Sequence, residues 1–129
     1  MMIRQATEKD ASRIAQACLE DENMLSNTRG YTETLTEKYS GEPVEIIKGL
    51  VEVAAGEIRT LYVDSFFTGH GIGGELIEYA KRELGGTCLL TLERNERAIA
   101  FYKQHGFVLT GERMEEPGTE EYLVRLALQ

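Results

Sequence analysis

The residues best suited to chemistry lie at Thr68-Gly69-His70-Gly71-Ile72-Gly73-Gly74, where four glycines fall within six positions. Such a run between a strand and a helix makes an anion site. Glycine lets the backbone turn freely and approach a ligand closely. The N–H groups that open a helix point outward, at the positive end of its macrodipole. A plain tight turn needs only one or two glycines. A phosphate held by amides needs few basic side chains. Two nucleotide patterns compete for this loop. A P-loop requires Gly-x4-Gly-Lys-Ser/Thr, and no lysine follows here. Gly69-x-Gly71-x-x-Gly74 does fit the dinucleotide pattern, with Glu93 where a ribose-binding acid belongs. Against it, the stretch from Val63 to Gly69 is long for that fingerprint, and only 36 residues follow Glu93. They are too few to repeat the βαβ unit.

Other reactive side chains form no cluster. Cys18 and Cys88 lie 70 residues apart with no C-x-x-C and no neighbouring histidine. They read as small apolar residues in a reducing compartment, so a cytoplasmic location and no metal are expected. His70 and His105 are too far apart for a metal helix. The 129 residues carry 14 Lys plus Arg against 22 Asp plus Glu, a net charge of −8. With 42% hydrophobic and 28% charged residues, the composition predicts one globular domain over 1–129. The acidic balance argues against a nucleic-acid partner. No window approaches the ~18–20 apolar residues of a membrane helix, and Met1–Gln5 has no apolar leader core. The acids around 20–23 and 33–37 form either a solvated face or an attraction for a cationic acceptor.

The elements that must position the glycine loop follow from periodicity. Residues 2–6 read as a first strand. Thr7 caps a helix carrying Ala11, Ile14, Ala15, Cys18 and Leu19 on one face. Asp21 to Arg29 reads as loop. Tyr31, Leu35 and Tyr39 recur every four residues and predict a second helix ending by Gly41-Glu42-Pro43, although Thr32, Thr34 and Thr36 disfavour it. Residues 44–55 read as one or two short strands broken by a turn at Lys48-Gly49. Residues 57–63 form a clearer strand. The helix opening at Gly71 or Ile72 buries Ile72, Leu76, Ala80 and Leu84, with Ile77 beside them, and Gly85-Gly86 ends it. Residues 87–92 form a strand, and Asn95 caps a helix that runs to His105. Strands at 107–110 and 122–128 flank a polar loop, Glu112–Glu120. The sum is a mixed α/β domain.

Leu61-Tyr62-Val63-Asp64 followed by Thr68-x-x-Gly71-x-Gly73 resembles the central motif of the GCN5-related N-acetyltransferase (GNAT) superfamily. Asn95-x-x-Ala98-x-x-Phe101-Tyr102-Lys103-x-x-Gly106-Phe107 is similar to that family's second segment, at matching spacing. Ile3-Arg4-x-Ala6-Thr7-x-x-Asp10 is similar to its first strand and helix start. The resemblance is dense from about Glu57 to Phe107. It implies a mixed central sheet flanked by helices, with two parallel strands, here 57–63 and 87–92, that splay to admit acetyl-CoA.

The resemblance also implies roles. Leu61, Tyr62 and Val63 would bond pantetheine through their backbone, as an added strand does. Thr68, Gly69, His70, Gly71, Ile72, Gly73 and Gly74 would cradle the pyrophosphate. Asn95, Ala98, Phe101 and Tyr102 would form the other wall. Tyr102 matches the family's proton donor to the departing thiolate, and Glu57 matches a general base in one branch. An amide near Val63 would polarise the thioester carbonyl. The implied activity is N-acetyl transfer from acetyl-CoA to a primary amine of a small molecule or peptide, by direct attack. A CoA-binding domain without turnover is the alternative, and a dinucleotide-binding protein a remoter one. Two departures stand out. Thr68 replaces the family's Gln or Arg. The 17 residues between Tyr39 and Glu57 are short for the β2–β3 hairpin expected there. An edge left by a lost strand would suit a homodimer.

Overall fold

The computed structural model describes residues 2–7, 28–36, 43–64 and 68–129. Among the described residues, seven strands form one mixed sheet: β1 Met2–Gln5, β2 Thr28–Thr36, β3 Pro43–Ala54, β4 Glu57–Val63, β5 Cys88–Leu92, β6 Phe107–Glu115 and β7 Tyr122–Leu128. Their order across the sheet is β1-β2-β3-β4-β5-β7-β6. Two described helices flank it, α1 Ile72–Glu83 and α2 Glu96–Gln104. The predicted helix over Ala11–Leu19, with Cys18, lies outside the described residues.

The predicted second helix is overturned in its described part. Residues 28–36 are β2, antiparallel to both β1 and β3. Tyr31 and Leu35 do have helical spacing, but three threonines alternate with them, and β-branched side chains fit a pleated strand better than a helix. The turn at Lys48-Gly49 is also overturned, because β3 runs unbroken for twelve residues. Gly49 pairs with Tyr31 and Ile47 with Thr32, which leaves Lys48 as the extra residue of a bulge. Gly49 is there for close approach. A Cβ on it would lie 2.7 Å from the Tyr62 carbonyl oxygen and 3.1 Å from Leu76 Cδ1. The expectation of a shortened β2–β3 region falls with these two corrections, since the strands have nine and twelve residues.

Helix α1 buries Ile72, Leu76, Ile77 and Ala80, a stripe set by 3.6-residue periodicity. They join Val51, Val53, Ile58, Leu89, Phe107 and Leu126 in one core cluster. After α1 the Gly86 N–H returns to the Ala80 carbonyl at 3.0 Å. The predicted polar loop at 112–120 is shorter than expected. β6 continues to Glu115 through an irregularity between Leu109 and Arg113, where Gly111 has φ 92°. Its polar sequence is compatible with a strand because pairing with β7 needs only backbone groups, and both its faces are exposed beyond Phe107.

β4 and β5 form the sheet's parallel pair and touch at only two positions, Glu57 with Cys88 and Ile58 with Leu89. β3 pairs with β4 as far as Val63, and β7 with β5 as far as Leu92. The two central strands therefore part at their C-terminal ends. With one short parallel contact, the described sheet has no repeated βαβ units, which overturns the dinucleotide-binding alternative.

Candidate active site

The glycine turn follows β4 at the open end of this wedge. Gly69 and Gly71 have φ of 83° and 80°, left-handed values that cost a side-chain-bearing residue ~1–2 kcal/mol. Nothing lies within 4 Å of where their Cβ atoms would be. They serve to turn the chain, not to admit a neighbour. Gly71 is the N-cap of α1 and supplies no side-chain cap. The first-turn N–H groups of Ile72, Gly73 and Gly74 therefore have no side-chain acceptor from the cap, at the positive end of the helix. Val63, Thr68, Gly69, Gly71, Ile72, Gly73, Gly74 and Phe101 line one cleft of about 280 Å³. At Gly73 a Cβ would lie 3.6 Å from both Phe101 Cζ and Val63 Cγ2, so β4, α1 and α2 meet there.

The other predicted residues are not among those that line this cleft. Leu61 and Tyr62 are half-buried on the diverging stretch of β4. Its backbone groups beyond Ile58 have no ladder partner on β5. His70 is exposed. The Asn95 side chain is engaged locally, with Oδ1 accepting the Ala98 N–H at 3.1 Å. That cap begins α2 and so orients Phe101 and Tyr102. The Tyr102 ring lies edge-on to Phe101 at 5.4 Å and to Phe107 at 6.2 Å. Burial pushes its phenol pKa above the ordinary value of 10.0. It therefore holds its proton through the neutral range, as a donor must. Glu57 stands apart. It opens β4 in register with Ala54 and Cys88, six positions before Val63, about 20 Å of extended strand. It sits at the closed end of the wedge and does not line the glycine cleft.

Two residues outside the predicted set stand out. His105, at the end of α2, is packed against Phe101 with ring centroids 4.7 Å apart. Its Cε1 comes within 3.5 Å of where a Gly74 Cβ would stand. Glu78 lies 3.6 Å from His105 Nδ1. Lys81 bonds Glu78 at 2.8 Å and the His105 carbonyl at 2.6 Å, which ties the end of α2 to α1. The lysine hydrogen bond is the main cause of the lowered Glu78 pKa. The other residue is Glu52, 2% exposed on β3. Its signal was a single acid inside the apolar run Leu50-Val51-Glu52-Val53. Among the described residues, no three His, Cys, Asp or Glu side chains could hold a metal. No described helix is long and apolar enough to cross a membrane.

The diverging strands, the glycine turn and the capped α2 define a mixed α/β scaffold with an anion-suited turn at the opening of its sheet. The sequence pattern of the Acetyltransferase (GNAT) domain matches residues 32–109, and the chain belongs to that family. Among its relatives is the peptidyl-lysine N-acetyltransferase YjaB of Salmonella typhimurium, 34% identical over 70 residues. That alignment covers 54% of this chain and 46% of the relative, so it spans about half the relative's length. The solution structure of apo YjaB from Escherichia coli superposes with a TM-score of 0.66 at 20% identity, covering 98% of this chain and 95% of that one. The NatC complex bound to Gag peptide and CoA contains a chain matching at TM-score 0.71 and 18% identity, with 98% and 96% covered. Both likenesses show the fold.

Proposed function

We propose that residues 1–129 act as one cytoplasmic N-acetyltransferase domain, moving an acetyl group from acetyl-CoA to a primary amine. The observation that carries this reading is the wedge between β4 and β5 opening onto a helix N-terminus capped by a left-handed glycine. Family membership and the CoA bound in the NatC structure support it. In this reading the amides of Gly69 to Gly74 bind the pyrophosphate. Thr68 leaves that task to the backbone. The free edge of β4 at Leu61 to Val63 holds pantetheine as a neighbouring strand would, and an amide near Val63 faces the carbonyl. Asn95 and Ala98 begin the α2 wall, and Phe101 packs beside the cleft. Acetyl-CoA bound there supplies a thioester open to direct attack by a neutral amine. An alkyl ammonium has a pKa of roughly 10, so a base or a water chain must take its proton. Glu57 is one candidate for that base. Tyr102 holds the proton that the leaving sulfur needs.

The acceptor we favour is a lysine side chain in a peptide, by analogy with the activity named for the YjaB relative. The test has two parts. Acetyl-CoA and CoA should raise the melting temperature while NAD should not. Free thiol should then appear only when poly-L-lysine is added. Saturable acetyl-CoA binding with no amine-dependent thiol release, across a broad amine panel, would instead favour a CoA-binding domain without turnover.

A further inference from the structure

One buried carboxylate is not used by the chemistry above. Glu52 lies on β3 between Val51 and Val53, paired with Thr28 of β2 on one side and Thr60 of β4 on the other. Thr28 is fully buried as well. Packing alone would favour an apolar residue here, since a buried carboxylate costs stability unless it is bonded or charge-paired. Thr60 Oγ1 donates to Glu52 Oε1 over 3.5 Å. Pairing of Glu52 with Thr60, then Val53 with Ile58, leaves Arg59 as the extra residue of a bulge, and its charge also acts on Glu52.

The location is specific. Ile58 is the last β4 residue laddered to β5, so Thr60 stands two residues into the divergence. The Glu52 and Thr60 side chains meet and so share one face of the sheet. Gly49, three positions before Glu52, abuts α1 at Leu76 and Ile72, which puts α1 on the other face. On the face opposite α1, the Thr60 hydroxyl stands where β4 has left β5, with the buried Glu52 behind it.

We propose that Glu52 is the proton sink for the acceptor amine, reached through the Thr60 hydroxyl, an inference that rests on the acetyltransferase reading. With the acceptor already in its neutral amine form, its N–H proton passes to Thr60 Oγ1 as Thr60 gives its own proton to Glu52 Oε1. The amine lone pair forms the C–N bond, the C–S bond breaks, and the sulfur takes the proton of Tyr102. Exchange with water afterwards deprotonates Glu52 and reprotonates Tyr102. Burial raises the Glu52 pKa above its ordinary 4.5, which makes it a stronger base. Catalytic hydrogen bonds are commonly long before substrate binds and tighten afterwards. Glu52 is thus a positioning residue that acts through Thr60.

The test compares Glu52→Gln, Thr60→Val, Thr60→Ser and the double variant Glu52→Gln/Thr60→Val, with acetyl-CoA and poly-L-lysine. Glu52→Gln and Thr60→Val should each lower kcat about 100-fold, and the double variant should be no worse than either. Thr60→Ser keeps the hydroxyl and should stay within about threefold of wild type. Calorimetry should find acetyl-CoA affinity within about twofold throughout, with no fall in the melting temperature of Glu52→Gln. Wild-type kcat in Glu52→Gln would overturn the relay alone, as would losses that multiply in the double variant or that Thr60→Ser shares. A wild-type protein that releases no thiol with any amine would overturn the acetyltransferase reading, and the relay with it.

Discussion

Gly49→Ala tests how the cleft is built. The added Cβ would stand 2.7 Å from the Tyr62 carbonyl oxygen, 3.1 Å from Leu76 Cδ1 and 3.3 Å from Ile72 Cγ2. Ordinary contact begins at 3.4 Å, so β4 must retreat by about 0.7 Å at Tyr62. That atom belongs to backbone paired on β3, and a rotamer change cannot relieve the clash. Overpacking of this kind costs about 1–3 kcal/mol. Lower entropy of the unfolded alanine chain returns about 0.4–1 kcal/mol. The net loss is about 1–2 kcal/mol, or roughly 3–10 °C in melting temperature for a domain of this size. The same displacement moves Tyr62 and Val63 away from α1, so acetyl-CoA binding should weaken as well. Gly30→Ala is the control, because its Cβ would make only ordinary contacts, with Ile47 Cδ1 at 3.4 Å and the Gly49 carbonyl oxygen at 3.9 Å. Calorimetric melts of both variants and isothermal titration with acetyl-CoA read the result. A Gly49→Ala melt within about 1 °C of wild type would refute the idea that this glycine sets the spacing of β3, β4 and α1.

Tyr102→Phe should lower kcat at least tenfold with acetyl-CoA affinity within about twofold; unchanged turnover would remove Tyr102 as the proton donor. Asn95→Ala loses the bond to the Ala98 N–H and should cost about 1 kcal/mol, read as a lower urea midpoint with an unchanged slope. Glu52→Gln should be more stabilising at pH 7 than at pH 4. The folded pKa of Glu52 lies above the unfolded 4.5, so the unfolded chain ionises first as pH rises and wild type loses stability through that window. Melts by circular dichroism at the two pH values check this, and an equal difference at both would contradict the burial of a charge at Glu52.

The elements around the glycine turn were legible because their determinants are local. Left-handed backbone at Gly69 and Gly71 favours glycine wherever the rest of the chain lies. Asn95 caps a helix through a bond to a residue three positions on. The apolar stripe of α1 repeats at helical spacing within twelve residues. Each of these signals is contained in about one helical turn or its repeats, so reading along the chain finds it.

The rest depends on which strands meet. Tyr31 and Leu35 carry a helical spacing, yet pairing with β1 and β3 holds residues 28–36 extended. Lys48-Gly49 looks like a turn in isolation, but it is a bulge and a close approach within one long strand. The wedge exists because β4 and β5 pair at only two positions while their outer neighbours hold them further along. Glu52 and Thr60 are eight positions apart in sequence and meet only when β3 folds back on β4. Local sequence chose the glycines and the caps, since backbone preference and capping act over a few residues. Long-range pairing decided where the sheet opens and which carboxylate is buried beside the opening, because strand partners and burial are properties of the assembled sheet.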